Sequence, residues 1–180
     1  MSQTIKDILG YQITPFESED EKLKSLFSFF LHLSPTITSS SALILPESSY
    51  CSTWELFLKE ASIKAISYRF YASGIITEKR LLAYDLAETC EIRRGKKGLL
   101  CCYGPSRDGR KEHQLECFLR HIRNSIAHSN VFVLNQRRKF IMFDDFNRKG
   151  NQTARILLSQ TDLVILRRLL VKNSKVKETA

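Results

Sequence analysis

The segment HQLECFLRHIRNSIAH, residues 113–128, predicts one long amphipathic helix over residues 112–128. At about 100° per residue, its large apolar side chains fall on one narrow stripe, which we expect to face the core. That stripe consists of Leu115, Phe118, Leu119, Ile122 and Ile126. The opposite side is polar and carries His113, Cys117, Arg120, His121, Asn124 and His128, with Arg123 on the flank. We expect this polar side to meet water, a ligand or another subunit.

Three residues of the polar side have the chemistry needed to act on a phosphate. Asn124 and His128 are four residues apart and therefore neighbours on the helix, and the long side chain of Arg123 can swing toward them. A guanidinium holds a phosphate through paired hydrogen bonds and stabilises the charge of a pentacoordinate transition state. An imidazole can take a proton from a 2′-hydroxyl or give one to a departing 5′-oxygen.

One histidine cannot easily perform both proton transfers, because in-line cleavage needs the base and the acid on opposite sides of the phosphorus. Two identical helices that pack their polar sides around a twofold axis would bring two Arg123 and two His128 side chains into one cleft. The pattern therefore favours a composite site in a homodimer.

The hexapeptide RNSIAH, residues 123–128, resembles the R-x4-H motif of the HEPN superfamily, including the polar residue after the arginine that is typical of its ribonuclease members. A β-hairpin after the helix is similar to that of some plasmid and defence-associated HEPN proteins. The resemblance implies an α-helical bundle, a dimer with both motifs at its interface, and metal-independent RNA cleavage that leaves a 2′,3′-cyclic phosphate. It also implies that Arg123 binds the scissile phosphate and that His128 serves as the general acid or base. Asn124 would have an orienting or polarising role at the same site. Arg120 and His121 are supporting candidates.

The rest of the sequence predicts a single domain, residues 1–180, that is mainly α: a HEPN-like helical bundle with a small β hairpin or three-stranded insertion after the motif helix. Capping signals and apolar periodicity predict helices over residues 18–33 and 52–71, and apolar residues predict further helices over residues 78–92 and 161–172. β-favouring runs predict a hairpin over residues 131–134 and 140–143 and a third strand over 153–158. Residues 34–49 are predicted to form a loop, and residues 173–180 a flexible tail.

The basic balance of the chain favours polyanions as partners. Twenty-eight Lys and Arg against 19 Asp and Glu give a formal net charge of +9, which favours RNA, DNA or an anionic membrane surface. The alternative is a solvated basic surface. Basic clusters fall in predicted turns at residues 93–97, 107–111 and 137–139, where side chains can follow a phosphate backbone. The RNA-binding candidates are Arg93, Arg94, Lys96, Lys97, Arg107, Arg110 and Lys111.

Two patterns resemble metal sites, but we expect no metal and no cofactor. His113, Cys117 and His121 stand at four-residue steps, yet three ligands on one straight helix diverge, and we expect a polar dimer seam there instead. Asp144 and Asp145 are adjacent, and adjacent residues of a strand point to opposite faces, so we expect them to open the following loop.

The cysteines and the hydropathy pattern indicate a cytoplasmic protein. Five cysteines without a C-x-x-C pair suggest neither a disulfide framework nor a standard zinc module, and Cys101 and Cys102 are expected in a short buried strand. No secretory signal pattern opens the chain, and no run of 18 apolar residues predicts a membrane span.

The sequence thus predicts a metal-independent endoribonuclease, in a toxin–antitoxin or phage-defence setting. Its expected partners are RNA, a second copy through the motif helix, and an antitoxin or other regulator. The alternative is a non-catalytic HEPN module that binds RNA or a partner protein through the same side. A third hypothesis, a helical interaction protein with a chance motif, predicts no affinity for phosphate.

Overall fold

The structure, a computed structural model, describes residues 11–13, 19–35, 42–72, 74–87, 96–106, 108–134 and 139–175. Within these ranges the helices are α1 (Glu21–His32), α2 (Tyr50–Glu60), α3 (Glu78–Ala83), α4 (Gln114–Ala127) and α5 (Gln160–Asn173). The strands are β1 (Tyr11–Ile13), β2 (Tyr68–Tyr71), β3 (Gly98–Cys102), β4 (Val131–Leu134), β5 (Phe140–Phe146) and β6 (Gln152–Ser159). Among the described residues, no helix combines the length and the apolar composition that a membrane crossing requires.

The prediction of a mainly α-helical bundle is wrong, because the strands form one mixed sheet and the fold is α/β. Within the described residues the sheet has six strands in the order β1-β4-β5-β6-β3-β2, with β2 and β3 parallel and the other neighbours antiparallel. The predicted hairpin is β4 and β5, with Val131 opposite Phe143, and the predicted third strand is β6. These three strands lie in the middle of the sheet and are not an insertion into a bundle.

Strand β3 shows why the sequence pattern does not predict the sheet. Its sequence GLLCC is buried at every position, and a continuous apolar run has no alternation that distinguishes a strand from a buried helix. Cys101 and Cys102 are both buried in this strand, as predicted. Because β3 pairs with β2 and β6, it extends the predicted three strands into a full sheet.

Helix α2 is shorter than predicted. It ends at Glu60 because Ser62 adopts a φ of 55° and the N–H of Ile63 donates to the carbonyl of Leu58 at 2.9 Å. The predicted helix over residues 52–71 is therefore wrong in its second half, where β2 forms instead.

Helix α3 ends in the same way, after six residues. Asp85 adopts a φ of 53°, and the N–H of Leu86 donates to the carbonyl of Leu81 at 2.8 Å. Of the predicted helix over residues 78–92, the part from residue 88 lies outside the described residues.

The sheet carries a core on each face, and neighbouring strand residues alternate between the two. In β3, Leu99 and Cys101 lie in the larger core, under α1, α2, α4 and α5, whereas Leu100 and Cys102 lie in the smaller core beside α3. The structure therefore buries both faces of its central strands.

Helix α4 packs across the larger face, along β5 and β3. Its apolar stripe is buried, as predicted. The expectation that its other side meets water, a ligand or another subunit is wrong for Cys117 and His121, which are each 0% exposed because the sheet covers them. Arg123 and His128 are exposed, and Asn124 is half-buried.

Candidate functional site

The C-terminal turn of α4 holds the backbone of His128 in a defined conformation. Ser129 adopts a φ of 56°, its N–H donates to the carbonyl of Ile126 at 3.2 Å, and the N–H of Asn130 donates to the carbonyl of Ser125 at 2.8 Å. These bonds form a Schellman motif with serine at the position where glycine is usual. The His128 ring is exposed and has no hydrogen-bond partner among the described residues. The turn therefore presents the imidazole on an ordered backbone.

Arg123 is exposed on the flank of α4 and contacts the next residue of the motif. Its Nη1 lies 3.5 Å from Oδ1 of Asn124, and Nδ2 of Asn124 donates to Oδ2 of Asp145 at 3.1 Å. Arg123 and His128 are about 140° apart around the helix, and in the described part of the chain no hydrogen bond joins their side chains. One copy of the chain thus presents the guanidinium and the imidazole separately.

His121, a predicted supporting residue, is bonded at both ring nitrogens. Nδ1 lies 2.8 Å from Oδ2 of Asp145, and Nε2 lies 2.8 Å from the carbonyl oxygen of Cys102. Both oxygens only accept hydrogen bonds and lie closer to the ring than Nη2 of Arg120, which is 3.4 Å from Nε2, so both nitrogens carry protons and the ring is an imidazolium. Burial lowers the pKa of His121, but hydrogen bonds with Asp145 and Cys117 outweigh it and raise the pKa to about 9. The ring is 0% exposed and is therefore part of the interior beneath the motif.

Arg120, the other predicted supporting residue, is half-buried and continues the same network, because its Nη2 lies 3.4 Å from Nε2 of His121. Its Nε and Nη2 donate to the two carboxylate oxygens of Glu112 at 2.7 and 3.1 Å, and Nη2 also donates to the Cys102 carbonyl at 3.1 Å. Burial raises the pKa of Glu112, but hydrogen bonds from Arg120 and from the N–H of Gly104 outweigh it and hold that pKa below its ordinary value. This pair joins the start of α4 to the end of β3.

The comparison with family models bears directly on the motif. A model described as HEPN pEK499 p136 matches residues 41–177, which include α2 to α5 and the whole motif. The chain belongs to this HEPN family. The comparisons with curated proteins and with solved structures found no match.

The predicted HEPN resemblance is thereby confirmed, and HEPN membership suggests a nuclease or an RNA-binding module. HEPN domains often act as dimers that bind RNA. The sheet described above is the framework on which this HEPN chain presents Arg123 and His128.

The predicted RNA-binding cations of the HEPN chain differ in their surroundings. Lys97 points inward, where its ammonium donates to Asp162 at 2.7 Å and to a backbone carbonyl. Lys96 pairs with Asp85, and Arg110 pairs with two glutamates. Lys111 is exposed and lies 5.1 Å from the centre of the Tyr103 ring. Arg93, Arg94 and Arg107 lie outside the described residues.

Two cations that the sequence reading passed over lie in the turn between β5 and β6. Arg148 and Lys149 are exposed there. Oδ1 of Asn147 accepts the N–H groups of Lys149 and Asn151, both at 3.0 Å, and so orders the turn. The segment NRKG, residues 147–150, carries the signal of a basic turn, but only the sheet shows that this turn follows the strand in contact with Asn124.

The residues of the two metal patterns have separate partners. His113 stacks on Tyr50 with ring centres 5.1 Å apart, whereas the Cys117 thiol donates to the Cys102 carbonyl at 3.3 Å. Cys117 therefore belongs to the interior of one chain and not to a dimer seam. Among the described residues, no group of three or more His, Cys, Asp or Glu side chains is arranged to hold a metal ion.

Proposed function

We propose that this HEPN chain is a metal-independent endoribonuclease whose active site forms where two copies bring their α4 helices together. The observation that carries the proposal is that the two motif side chains are exposed above a buried, hydrogen-bonded layer. Arg123 and His128 are both exposed near the end of α4, whereas His121 and Asp145 beneath them are buried and hydrogen-bonded. An ordered helix end that presents a guanidinium and an imidazole suits the phosphate of RNA.

In the proposed reaction, the 2′-hydroxyl oxygen attacks the adjacent phosphorus and the bond from phosphorus to the 5′-oxygen breaks. His128 of one copy takes the proton of the 2′-hydroxyl, and His128 of the other copy gives a proton to the departing 5′-oxygen. The Arg123 guanidinium stabilises the charge on the non-bridging oxygens. The products are a 2′,3′-cyclic phosphate and a 5′-hydroxyl, and the two histidines end in exchanged protonation states.

A second copy is required because each chain carries a single motif histidine, whose ring cannot lie on both sides of one phosphorus. An isologous dimer through α4 supplies the second ring with no further sequence requirement. The proposal thus makes the dimer part of the active site.

Basic side chains close to Asn124 and before the start of α4 would hold the flanking RNA. Arg148 and Lys149 follow β5, which contacts Asn124, and Lys111 lies in the segment before α4. Phosphate contacts of this kind give affinity without selecting a base sequence. A toxin–antitoxin or phage-defence role in the cytoplasm, with an antitoxin or other regulator, belongs to the same proposal.

Incubation of the purified protein with labelled RNA in the presence of EDTA tests the proposal. We expect the wild type to leave cyclic phosphate ends, and Arg123→Ala and His128→Ala each to lower the cleavage rate by about 100-fold or more. Matched controls are Arg168→Ala and His32→Ala, which change exposed residues on α5 and α1 and should cleave at the wild-type rate.

Two results would contradict the proposal that Arg123 and His128 cleave RNA. RNA binding without cleavage would favour the non-catalytic HEPN module, and equal cleavage by all variants would place the activity elsewhere. Analytical ultracentrifugation of the same samples should show a dimer for every variant, because the substitutions remove surface groups and not the packing of α4.

A further inference from the structure

Asp145 connects the interior of the protein to the motif. It is 3% exposed near the end of β5, and its carboxylate accepts three hydrogen bonds. Oδ2 accepts from Nδ1 of His121 at 2.8 Å and from Nδ2 of Asn124 at 3.1 Å, and Oδ1 accepts from the N–H of Phe146 at 3.0 Å. Donors from α4 and from its own strand therefore fix the orientation of this carboxylate.

The charge of Asp145 is balanced inside the protein. His121 has hydrogen-bond acceptors at both ring nitrogens, so the ring is a cation and pairs with the buried carboxylate. The half-buried Asn124 is thus bonded to a carboxylate that is already paired with a cation and held by a further hydrogen bond from a backbone N–H.

The orientation of the Asn124 amide follows from this contact. A carboxylate only accepts hydrogen bonds, so the NH2 group of Asn124 must face Asp145 and its carbonyl oxygen must face away. That oxygen, Oδ1, lies 3.5 Å from Nη1 of Arg123. Because the amide is planar, fixing its nitrogen also fixes the oxygen beside the guanidinium.

We propose that Asp145 is a positioning residue for the motif, which holds the Arg123 guanidinium at the RNA phosphate through the amide of Asn124. The role of Arg123 as a phosphate ligand rests on the proposed function. The contacts that link Asp145, Asn124 and Arg123 are independent of it. A side chain that is restrained before binding loses less conformational freedom when the phosphate arrives, and so binds it more tightly. The polar residue after the motif arginine then has a physical task, which is to link that arginine to the core.

The first measurement is the mobility of Arg123 without RNA. The heteronuclear NOE of its Nε–Hε group, assigned from the loss of that signal in Arg123→Lys, reports motion on the picosecond to nanosecond scale. We expect a restrained group in the wild type and a mobile one in Asn124→Ala and Asp145→Asn. Asn173→Ala is the matched control, because it removes another part-buried amide hydrogen bond, the 3.0 Å bond from Asn173 to Thr53, and should leave Arg123 restrained.

The second measurement is the affinity for a labelled single-stranded RNA oligonucleotide. Asn124→Ala and Asp145→Asn should each weaken binding about 5-fold when Arg123 is present, and less than about 2-fold when Arg123 is already replaced by alanine. A merely structural role would weaken binding equally in both backgrounds. Asn124→Ala leaves the pair of His121 and Asp145 intact, so it keeps the test decisive if Asp145→Asn fails to fold.

The two measurements separate this inference from the proposed function. A mobile Arg123 in the wild type, or a restrained one in Asn124→Ala, would overturn the inference whatever the RNA result. A restrained Arg123 that both substitutions release, in a protein that does not bind RNA, would support the positioning role and defeat the proposed function.

Discussion

Asp144 and Asp145 are consecutive residues of β5 and equally buried, each 3% exposed, but they serve opposite faces of the sheet. Asp144 lies on the side of the smaller core. Its two oxygens accept from Nε and Nη2 of Arg155, both at 2.9 Å, and Nε2 of Gln152 donates to it at 2.9 Å. Arg155 also donates to the Leu86 carbonyl at 2.8 Å, so the pair ties β5 and β6 to the segment after α3.

Asp145 has the same kinds of partner, one cation and one side-chain amide, on the side of α4. Its cation is the His121 imidazolium and its amide is Asn124, which continues to Arg123 at the surface. Among the described residues, two carboxylates of equal burial therefore differ in what lies beyond them: the smaller core beyond Asp144 and the motif beyond Asp145. The face on which β5 places each carboxylate thus determines which side chains it can contact.

The largest expected effect comes from removing the arginine of the first pair. Arg155→Leu leaves a buried carboxylate without its guanidinium and should lower the free energy of unfolding by about 3–5 kcal/mol in urea titrations. The double variant Asp144→Leu with Arg155→Leu should recover most of the loss, because no charge then remains buried. RNA binding by the folded Arg155→Leu fraction should match the wild type. A loss of stability below about 1 kcal/mol would contradict the assigned role of the pair.

An intermediate effect, which separates the two pairs, is the dependence of stability on pH. The pKa of His121 is raised in the folded protein to about 9 from an ordinary value of 6.5, so the folded state binds the proton more tightly. The proton on His121 therefore adds on the order of 3 kcal/mol to the free energy of unfolding below pH 6.5, and this contribution is lost as the pH rises through about 9. An arginine keeps its charge over this range, so an aspartate–arginine pair adds no such slope.

Urea titrations at several pH values between 6.5 and 9.5 would measure this slope. His121→Gln should be less stable than the wild type at pH 6.5 and should have lost most of the slope. A slope that persists unchanged in His121→Gln would assign it to another group and contradict the imidazolium.

The smallest effect compares the two amides. Gln152→Ala and Asn124→Ala each remove one side-chain hydrogen bond to a buried carboxylate and should each lower the free energy of unfolding by about 1 kcal/mol. Only Asn124→Ala should weaken RNA binding, because only Asn124 contacts Arg123. Equal RNA affinities for the two variants would contradict the claim that only the face with Asp145 contributes to RNA binding.

Parts of the molecule that depend on local pattern were predictable from sequence. The apolar stripe of α4 is buried, and β4 and β5 pair as a hairpin. The motif from Arg123 to His128 led to the family. Each of these signals lies within a few consecutive residues.

The helix ends were harder to predict because their stop signals are not glycines. Ser62, Asp85 and Ser129 all adopt a positive φ at the end of a helix, a conformation that glycine adopts most readily. A sequence reading that looks for glycine extends α2 and α3 too far, and in the case of α2 it conceals β2. In α4 the same turn coincided with the predicted end at His128.

The polar side of α4 could not be assigned from its helical pattern. Cys117, His121 and Asn124 share that side, yet the first two are buried against the sheet and the third reaches the surface. Which of them is covered depends on where β3 and β5 pass beneath the helix. The expected dimer seam at Cys117 failed for this reason.

The sequence by itself determined an amphipathic helix with an arginine and a histidine five residues apart, a hairpin after it, and membership of a HEPN family, because periodicity and motif are properties of neighbouring residues. Only the tertiary structure decided that the fold is α/β with one mixed sheet and that the Asp145 carboxylate bonds Asn124 of the motif. The contact between Asn124 and Asp145 joins residues 21 positions apart, and Cys101 pairs with Ala154 across the sheet. Such contacts depend on which surfaces bury one another when the whole chain folds, and no local pattern encodes that outcome.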